Sequence, residues 1–396
     1  VPNSTAKDAE SEVVQPRRTR PRDRRGQILR TAGEVFAEKG FHSSSLADIA
    51  GRVGISPAAL YRHFSNKQHL LTETVRAGID TTYERVAAAE DPLAVLMELS
   101  LEFRGVPRLW QLEIRNLPEP ERREMFVHVR AIVDLIAQAV SARRPDISVE
   151  DARFLAWVIA SIAESPSFHN VQLPKDRFIP LLTAVIESVL AIPFSSQDHG
   201  APARTVLGPA LDDLQPERLI VAAAELFNTR GYDAVGIEDI GAAVGISGPA
   251  IYHHFASKGD LLNEIIGRND QWIGHYISRA CAEGNSAEES LALLTQYFLA
   301  FVARSPAIAG TALSEARHLP DDQAKRYRRV HRAGVLRWAR LIQAASPDTP
   351  EDEARVRVQA FTTVVIDAAR NPGLVSRADF QAILARIGTA IVMTQP

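Results

Sequence analysis

A stretch of twenty residues, Ser45 to Phe64 (SLADIAGRVGISPAALYRHF), constrains this chain more than any other, because it occurs twice. In the first copy Leu46, Ile49 and Ala50 fall at i, i+3 and i+4, one face of a short helix. Gly54 then supplies the left-handed backbone that a sharp helix–helix turn needs. Ser56 with Pro57 restarts a helix as N-cap and first helical residue. Ala58 and Ala59 leave the start of that second helix close to whatever it meets, and Tyr61, Arg62 and His63 follow with polar tips. This is the layout of a helix-turn-helix whose second helix enters a DNA major groove. Ile237 to Phe255 (IEDIGAAVGISGPAIYHHF) repeats it without a gap at an offset of 191, Gly245 minus Gly54.

The repeat extends well beyond the turn. Ala32/Ala223, Phe36/Phe227, Gly40/Gly231, Tyr61/Tyr252, Phe64/Phe255 and Lys67/Lys258 keep the same offset. Further on, Glu113-x-Arg115-x-Leu117-Pro118 returns as Glu315-x-Arg317-x-Leu319-Pro320 at an offset of 202, as do Pro145-Asp146 and Ala152-Arg153. The whole unit is therefore duplicated, with extra residues in the second copy. A chain of 396 residues has room for two to three domains, and two copies of one unit satisfy that.

Between the repeated segments the chain is a run of helical stretches broken at Pro107, Pro118 to Pro120, Pro145 and Pro166 to Pro174. No useful run of alternating apolar and polar residues occurs, so the expected class is all-α. Glu150 to Ser165 and Asp176 to Ile192 are strongly apolar and call for a large partner surface. Residues 193–213, rich in Pro, Gly, Ser and Asp, read as a linker. The resulting division is a disordered basic arm (1–23), a helix-turn-helix domain (24–75), a helical body (76–192), the linker (193–213), a second helix-turn-helix domain (214–266) and a second body (267–396).

The net charge of −3 does not by itself suggest nucleic acid, but its distribution does. Residues 17–25, RRTRPRDRR, place Arg17, Arg18, Arg20, Arg22, Arg24 and Arg25 directly before the first helix-turn-helix. Such an arm suits minor-groove contact and gains affinity by releasing counterions. Ser43, Ser44 and Ser45 cap the next helix and carry hydroxyls that can reach phosphate. Lys67 opens a long helix whose free N–H groups favour an anion. The second copy offers Ser247, Gly248, Pro249, Ala250, Tyr252, His253, His254 and Lys258, but has no arginine from Gly231 to Gly267. An arginine pairs bidentately with guanine and a histidine does not, so an asymmetric site with a dominant first half is expected.

A single cysteine, Cys281, allows neither an intramolecular disulfide nor a multi-cysteine zinc site. The sequence contains no G-x-S-x-G, H-E-x-x-H or phosphate-cradling glycine loop, so an enzyme is not expected. No uninterrupted apolar run reaches the length of a membrane span, and no leader is expected; a cytoplasmic protein with no cofactor, no metal and no membrane partner is the reading.

The motifs AxExFxxxGF (Ala32 to Phe41) and DIAxxVGISxxALYRHFxNKxxLL (Asp48 to Leu71), each repeated, resemble the TetR family of bacterial transcription regulators. The tandem arrangement is similar to the double regulators of the mammalian-cell-entry operon type in mycobacteria. The resemblance implies three DNA-binding helices per unit, a long linking helix, a ligand cavity, and last-helix pairing between units, here within one chain as a pseudo-dimer. It implies an operator of double-stranded DNA, a hydrophobic effector, possible association of two chains on DNA, and a repressor acting on lipid metabolism. Candidate cavity residues are Phe103, Trp110, Glu113, Phe126, Trp157 and Phe168 in the first unit. Trp272, Tyr276, Phe298, Glu315, Tyr327 and Phe361 are the candidates in the second. Glu113 with Arg115, and Glu315 with Arg317, stand two apart on a helix and so reach different neighbours, which also fits structural ion pairing. An architectural or activating DNA binder without a working cavity is the alternative. Deleting residues 1–23 is expected to weaken binding to all DNA sequences and to flatten the dependence of log K on log salt; an unchanged slope would remove the arm from the interface.

Overall fold

The structure, a computed structural model, describes residues 24–194 and 215–394. Arg17, Arg18, Arg20, Arg22 and all but the first two residues of the expected linker lie outside the described residues. Among the described residues the chain is all-α, with no strand.

The first reader is built as its sequence dictates. Helix α1 (Arg24–Lys39) buries Ile28, Ala32, Val35 and Phe36 and ends at Gly40, whose φ is +80°. Helix α2 (Leu46–Val53) starts in a capping box: Ser45 Oγ accepts the Asp48 N–H at 3.0 Å, and the Asp48 carboxylate accepts the Ser45 N–H at 3.1 Å. Gly54 closes it with φ +76°. Ser56 Oγ accepts the Ala59 N–H at 3.2 Å to start α3 (Pro57–Tyr61). Leu60 and Phe64 are buried in the same core as Phe36, each such side chain contributing about 1.5–3 kcal/mol. Helix α4 (Lys67–Ala87), capped by Asn66, leads from the reader into the body.

The first body comprises α5 (Pro92–Glu102), a short turn α6 (Val106–Arg108), α7 (Glu119–Arg143), α8 (Val149–Glu164) and α9 (Lys175–Leu190). Between α6 and α7 the chain forms a widened π-turn at Leu109–Glu113 and a 3₁₀ turn at Ile114–Asn116. Helix α7 is long and apolar enough by composition to cross a membrane, but it packs on α4 and α8 with Met125, Val133, Ile136 and Val140 buried. The second unit repeats the order: α10 (Gln215–Arg230), α11 (Ile237–Val244), α12 (Gly248–Ile251), α13 (Lys258–Glu283), α14 (Ala287–Arg304), α15 (Pro306–Glu315), α16 (Asp321–Ala345), α17 (Glu351–Arg370), α18 (Pro372–Val375) and α19 (Phe380–Met393).

The apolar helices that called for a partner find it in the other unit. Helix α8 packs against α17, and α9 against α19. Phe154 of α8 meets Phe380 of α19 edge to face at 6.4 Å. At the rim Arg177 pairs with Glu353 at 2.7 Å, and Arg377 with Asp151 at 2.7 Å. Because the two rings touch across the interface, a double-mutant cycle of Phe154→Leu and Phe380→Leu in urea unfolding is expected to show coupling of about 0.5–1.5 kcal/mol. Simple additivity would mean that the rings do not meet.

Candidate nucleic-acid interface and effector cavity

On the first reader Ser43, Ser45, Ser56, Pro57, Ala58, Tyr61, Arg62 and His63 are exposed and Ala59 half-buried. The cap and the turn hold α3 so that its opposite side, Leu60, carries the packing. Tyr61 is 56% exposed, so its phenol points away from the core rather than beneath the turn. Tyr252 repeats this at 55%, and Ser247, Pro249, His253 and His254 are likewise exposed, with Ala250 half-buried.

Several expected phosphate ligands are engaged elsewhere. Lys67 Nζ donates to the carbonyls of Phe41 (2.8 Å) and Ser44 (3.0 Å) and lies 4.4 Å from the Phe41 ring centroid. Burial holds this ammonium below its usual pKa. Lys258 does the same for Tyr232 O and Val235 O, both at 2.9 Å. These lysines staple the turn after the first helix and are not free phosphate ligands. Ser44 is buried with its hydroxyl on Phe41 O, so it leaves the DNA-facing set. Arg25 pairs with Glu73 and covers Phe64, and Arg24 donates to Gln27 at 2.8 Å. Gly248 is buried against Glu238, because the second copy has glycine where the first has the exposed Pro57.

The two readers differ in charge more than the missing arginines suggest. Residues 24–75 hold seven Lys or Arg against four Asp or Glu; residues 214–266 hold three against seven. The signal lies in plain sequence, in the balance of each half rather than in the motif. A reader with an excess of carboxylates gains little from phosphate neutralisation.

The first body contains a cavity of about 510 Å³. Phe103, Trp110, Phe126 and Trp157 line it, with Leu96, Leu99, Val133 and Ile136. Val364, Asp367, Arg370 and Leu374 of the second unit complete the wall, so the cavity straddles the interface. Phe168 and Glu113 do not line it. Its polar end is one cluster: Gln111 Nε2 donates to Glu164 and, at 3.1 Å, to Asp367. Burial and the neighbouring Asp367 push the Glu164 carboxyl up to about 8, and burial pushes Asp367 up to about 6.

In the second body the corresponding space is filled with rings. Phe298 lies 5.5 Å from Phe361 and 5.8 Å from Trp338, and Trp338 lies 5.2 Å from Phe361. At the offset of 202, these three stand where the first unit has Leu96, Ile159 and Ile136. Phe298 and Phe361 are therefore core rather than cavity wall. Trp272 stacks on Tyr276 near the surface, and the Tyr327 hydroxyl donates to Ala312 O at 3.2 Å. Gln111 and Glu164 become Leu313 and Ile366 in the repeat, so the polar cluster has no counterpart.

Glu113 and Glu315 perform a different task. Glu315, fully buried, accepts the Tyr232 N–H at 3.2 Å and pairs with Arg115 of the first unit at 2.7 Å. Glu113, 1% exposed, accepts the Phe41 N–H at 3.1 Å and pairs with Arg317 of the second unit at 2.8 Å. Burial opposes the charge on Glu315, but Arg115, Ser314 and the Tyr232 N–H outweigh it and leave the carboxyl below its ordinary value. Each guanidinium also covers the glycine that ends the other unit's first helix. A Cβ on Gly231 would stand 2.7 Å from Arg115 Cζ, and one on Gly40 would stand 2.9 Å from Arg317 Cζ. Both glycines have positive φ, so glycine is required twice over.

Two helix-turn-helix readers on a duplicated helical body define a DNA-binding transcription regulator. The model of bacterial regulatory proteins of the tetR family matches residues 28–74 and 219–265. The chain is 35% identical over 154 residues to the transcriptional repressor KstR2 of Mycobacterium tuberculosis, covering 32% of this chain and 72% of that protein. It is 41% identical over 70 residues to the transcriptional activator FasR of Mycolicibacterium smegmatis, covering 17% of this chain and 32% of that protein. The solved structure of the ketosteroid regulator KstR2 of Mycobacterium tuberculosis aligns with a TM-score of 0.41 at 22% identity, covering 46% of this chain and 94% of that one. The chain belongs to the TetR family, as a tandem member, and is a transcription regulator rather than an enzyme.

Because Lys67 binds carbonyls, Lys67→Met is expected to lower the melting temperature while leaving the salt slope of DNA binding unchanged. A slope reduced by about one would return Lys67 to the phosphate contacts.

Proposed function

We infer that the chain is a ligand-responsive repressor that reads an asymmetric operator with two unequal readers in one pseudo-dimer. A hydrophobic effector in the cavity of the first body releases it. One observation carries this reading: the segment Leu109–Asn116 both walls the cavity and holds the readers. Trp110, Gln111 and Ile114 face the cavity, while Glu113 and Arg115, in the same turns, contact Phe41 of one reader and Gly231 of the other. A π-turn is a sparse, deformable geometry often found at functional sites. Occupancy of the cavity would shift this segment and with it the spacing of the readers, which must match successive major grooves about 34–36 Å apart.

A second hollow, of about 660 Å³, shares Gln111, Ile114, Phe126 and Arg370 with the first and opens onto Ala224 and Asn228 of α10. Gln111, Ile114, Phe126 and Arg370 thus stand between the cavity and a hollow that reaches the second reader. The domain division 24–75, 76–192, 214–266 and 267–396, a cytoplasmic location and a DNA face built on Tyr61, Arg62, His63 and their counterparts belong to the same proposal. The likeness to the activator FasR favours an activator as the second reading; the cavity argues against a purely architectural role.

A footprint on the fragment upstream of the chain's own gene is expected to protect a non-palindromic site with unequal halves. Twice that length would indicate two associated chains, and no protection at low salt by folded protein would overturn the reading. Arg62→Ala is expected to cost about 1–3 kcal/mol of operator affinity and relax one position, with His253→Ala costing less. Equal losses would contradict the inequality of the readers.

A further inference from the structure

We propose that the cavity takes one amphiphile per chain whose head group donates hydrogen bonds, an alkyl or alicyclic ammonium above all, and that it rejects the matching carboxylate. The inference rests on the effector reading above and names the chemistry of that site.

The polar end of the cavity is made of acceptors. The Gln111 amide directs its NH2 toward Glu164 and Asp367, and this turns Oε1 away from both carboxyl groups. That oxygen is buried and without a partner. A buried acceptor left unmade costs free energy that a donating ligand recovers. The Trp110 indole and the Ser161 hydroxyl are already engaged, on Glu164 and on Asp367 respectively.

Two further charged groups line the cavity. Arg370, on α17, is held between Asp367 and the Arg115–Glu315 pair. Arg130, on α7, sits exposed at the rim. With both carboxyls ionised, the cluster of Glu164, Asp367 and Arg370 carries one net negative charge; with Glu164 protonated it is neutral. An ammonium entering the cluster therefore displaces the Glu164 proton into solvent and restores neutrality. A carboxylate entering there leaves the cluster with one net negative charge even with Glu164 protonated, beside Asp367 and an apolar wall of Leu96, Val133 and Trp157. The aliphatic remainder of the cavity suits an apolar body of either kind, so the head group decides.

The direction of the pH effect follows from Glu164, raised to about 8, and Asp367, raised to about 6. The free site holds a proton below those values and the ammonium complex does not, so ammonium binding strengthens from pH 6 to pH 8. Carboxylate binding weakens over the same range.

The test is calorimetric titration of the full chain with decylamine, decanol and decanoate, each below its aggregation concentration, in two buffers of different ionisation enthalpy. Decylamine is expected to bind tightest and to release a proton, with decanoate weaker by about tenfold or more. Glu164→Gln keeps the shape of the side chain; it is expected to weaken decylamine by about tenfold, reduce its pH dependence to the part owed to Asp367 and leave decanol nearly unchanged. Operator affinity without ligand checks that this variant is folded. Decanoate binding as tightly as decylamine, an unaltered decylamine affinity in Glu164→Gln, or no binding by any of the three overturns the proposal. Operator release is scored separately. Decylamine that binds as described yet leaves the operator bound contradicts the release mechanism alone, whereas release by decanoate contradicts the head-group assignment alone.

Discussion

The structure depends on two buried carboxylates that each pair with an arginine of the other unit. Glu113 and Glu315 each hold the backbone of their own reader, at Phe41 and Tyr232, and each takes its counter-charge from the other unit. A buried carboxylate without a cation is intolerable, and removing one partner of such a pair costs about 3–5 kcal/mol. Exposed pairs such as Arg52–Glu38 contribute far less. The relative placement of the two readers is therefore bound up with the placement of two arginines, and one of them, Arg115, directly follows the cavity-lining Ile114. In the proposed reading, binding at the cavity and fit on DNA become a single equilibrium.

The second constraint is that a duplicated unit need not stay symmetric. Rings at positions 298, 338 and 361 close the interior of the second body where aliphatic residues leave the first open. Gln111 and Glu164 supply a polar end that Leu313 and Ile366 cannot. The reader that keeps Arg62 and an excess of basic residues sits on the unit with the cavity; the acidic reader sits on the filled one. A homodimer forces both halves to do everything. In the proposed reading this chain divides the work, with affinity and effector chemistry concentrated in the first unit and the second contributing Asp367, Arg370 and the return ion pair.

The readers and the paired terminal helices were legible because they follow from local rules. Ser45 with Asp48, Gly54, and Ser56 with Pro57 specify caps and turns in a few residues, and the apolar stripes of α8 and α9 demand burial whatever lies opposite. The errors fall where one side chain can serve two partners. A lysine at a helix start suits a phosphate or a cluster of carbonyls, and only the packed turn shows that Phe41 and Ser44 claim Lys67. Aromatic residues read alike as cavity wall or core; Phe103 and Phe361 were separated by which neighbours are aliphatic and which are rings. The spacing of Glu113 and Arg115 correctly forbade a mutual pair, but partners some two hundred residues away lie beyond any local signal.

The reciprocal wiring is tested most directly by footprinting Arg115→Met and Arg317→Met on the same asymmetric site. If each arginine secures the opposite reader, Arg317→Met, in the second body, loses protection at the half-site of the first reader. Arg115→Met, in the first body, then loses protection at the half-site of the second. Loss confined to each variant's own half-site, or unchanged protection in both, would contradict the account.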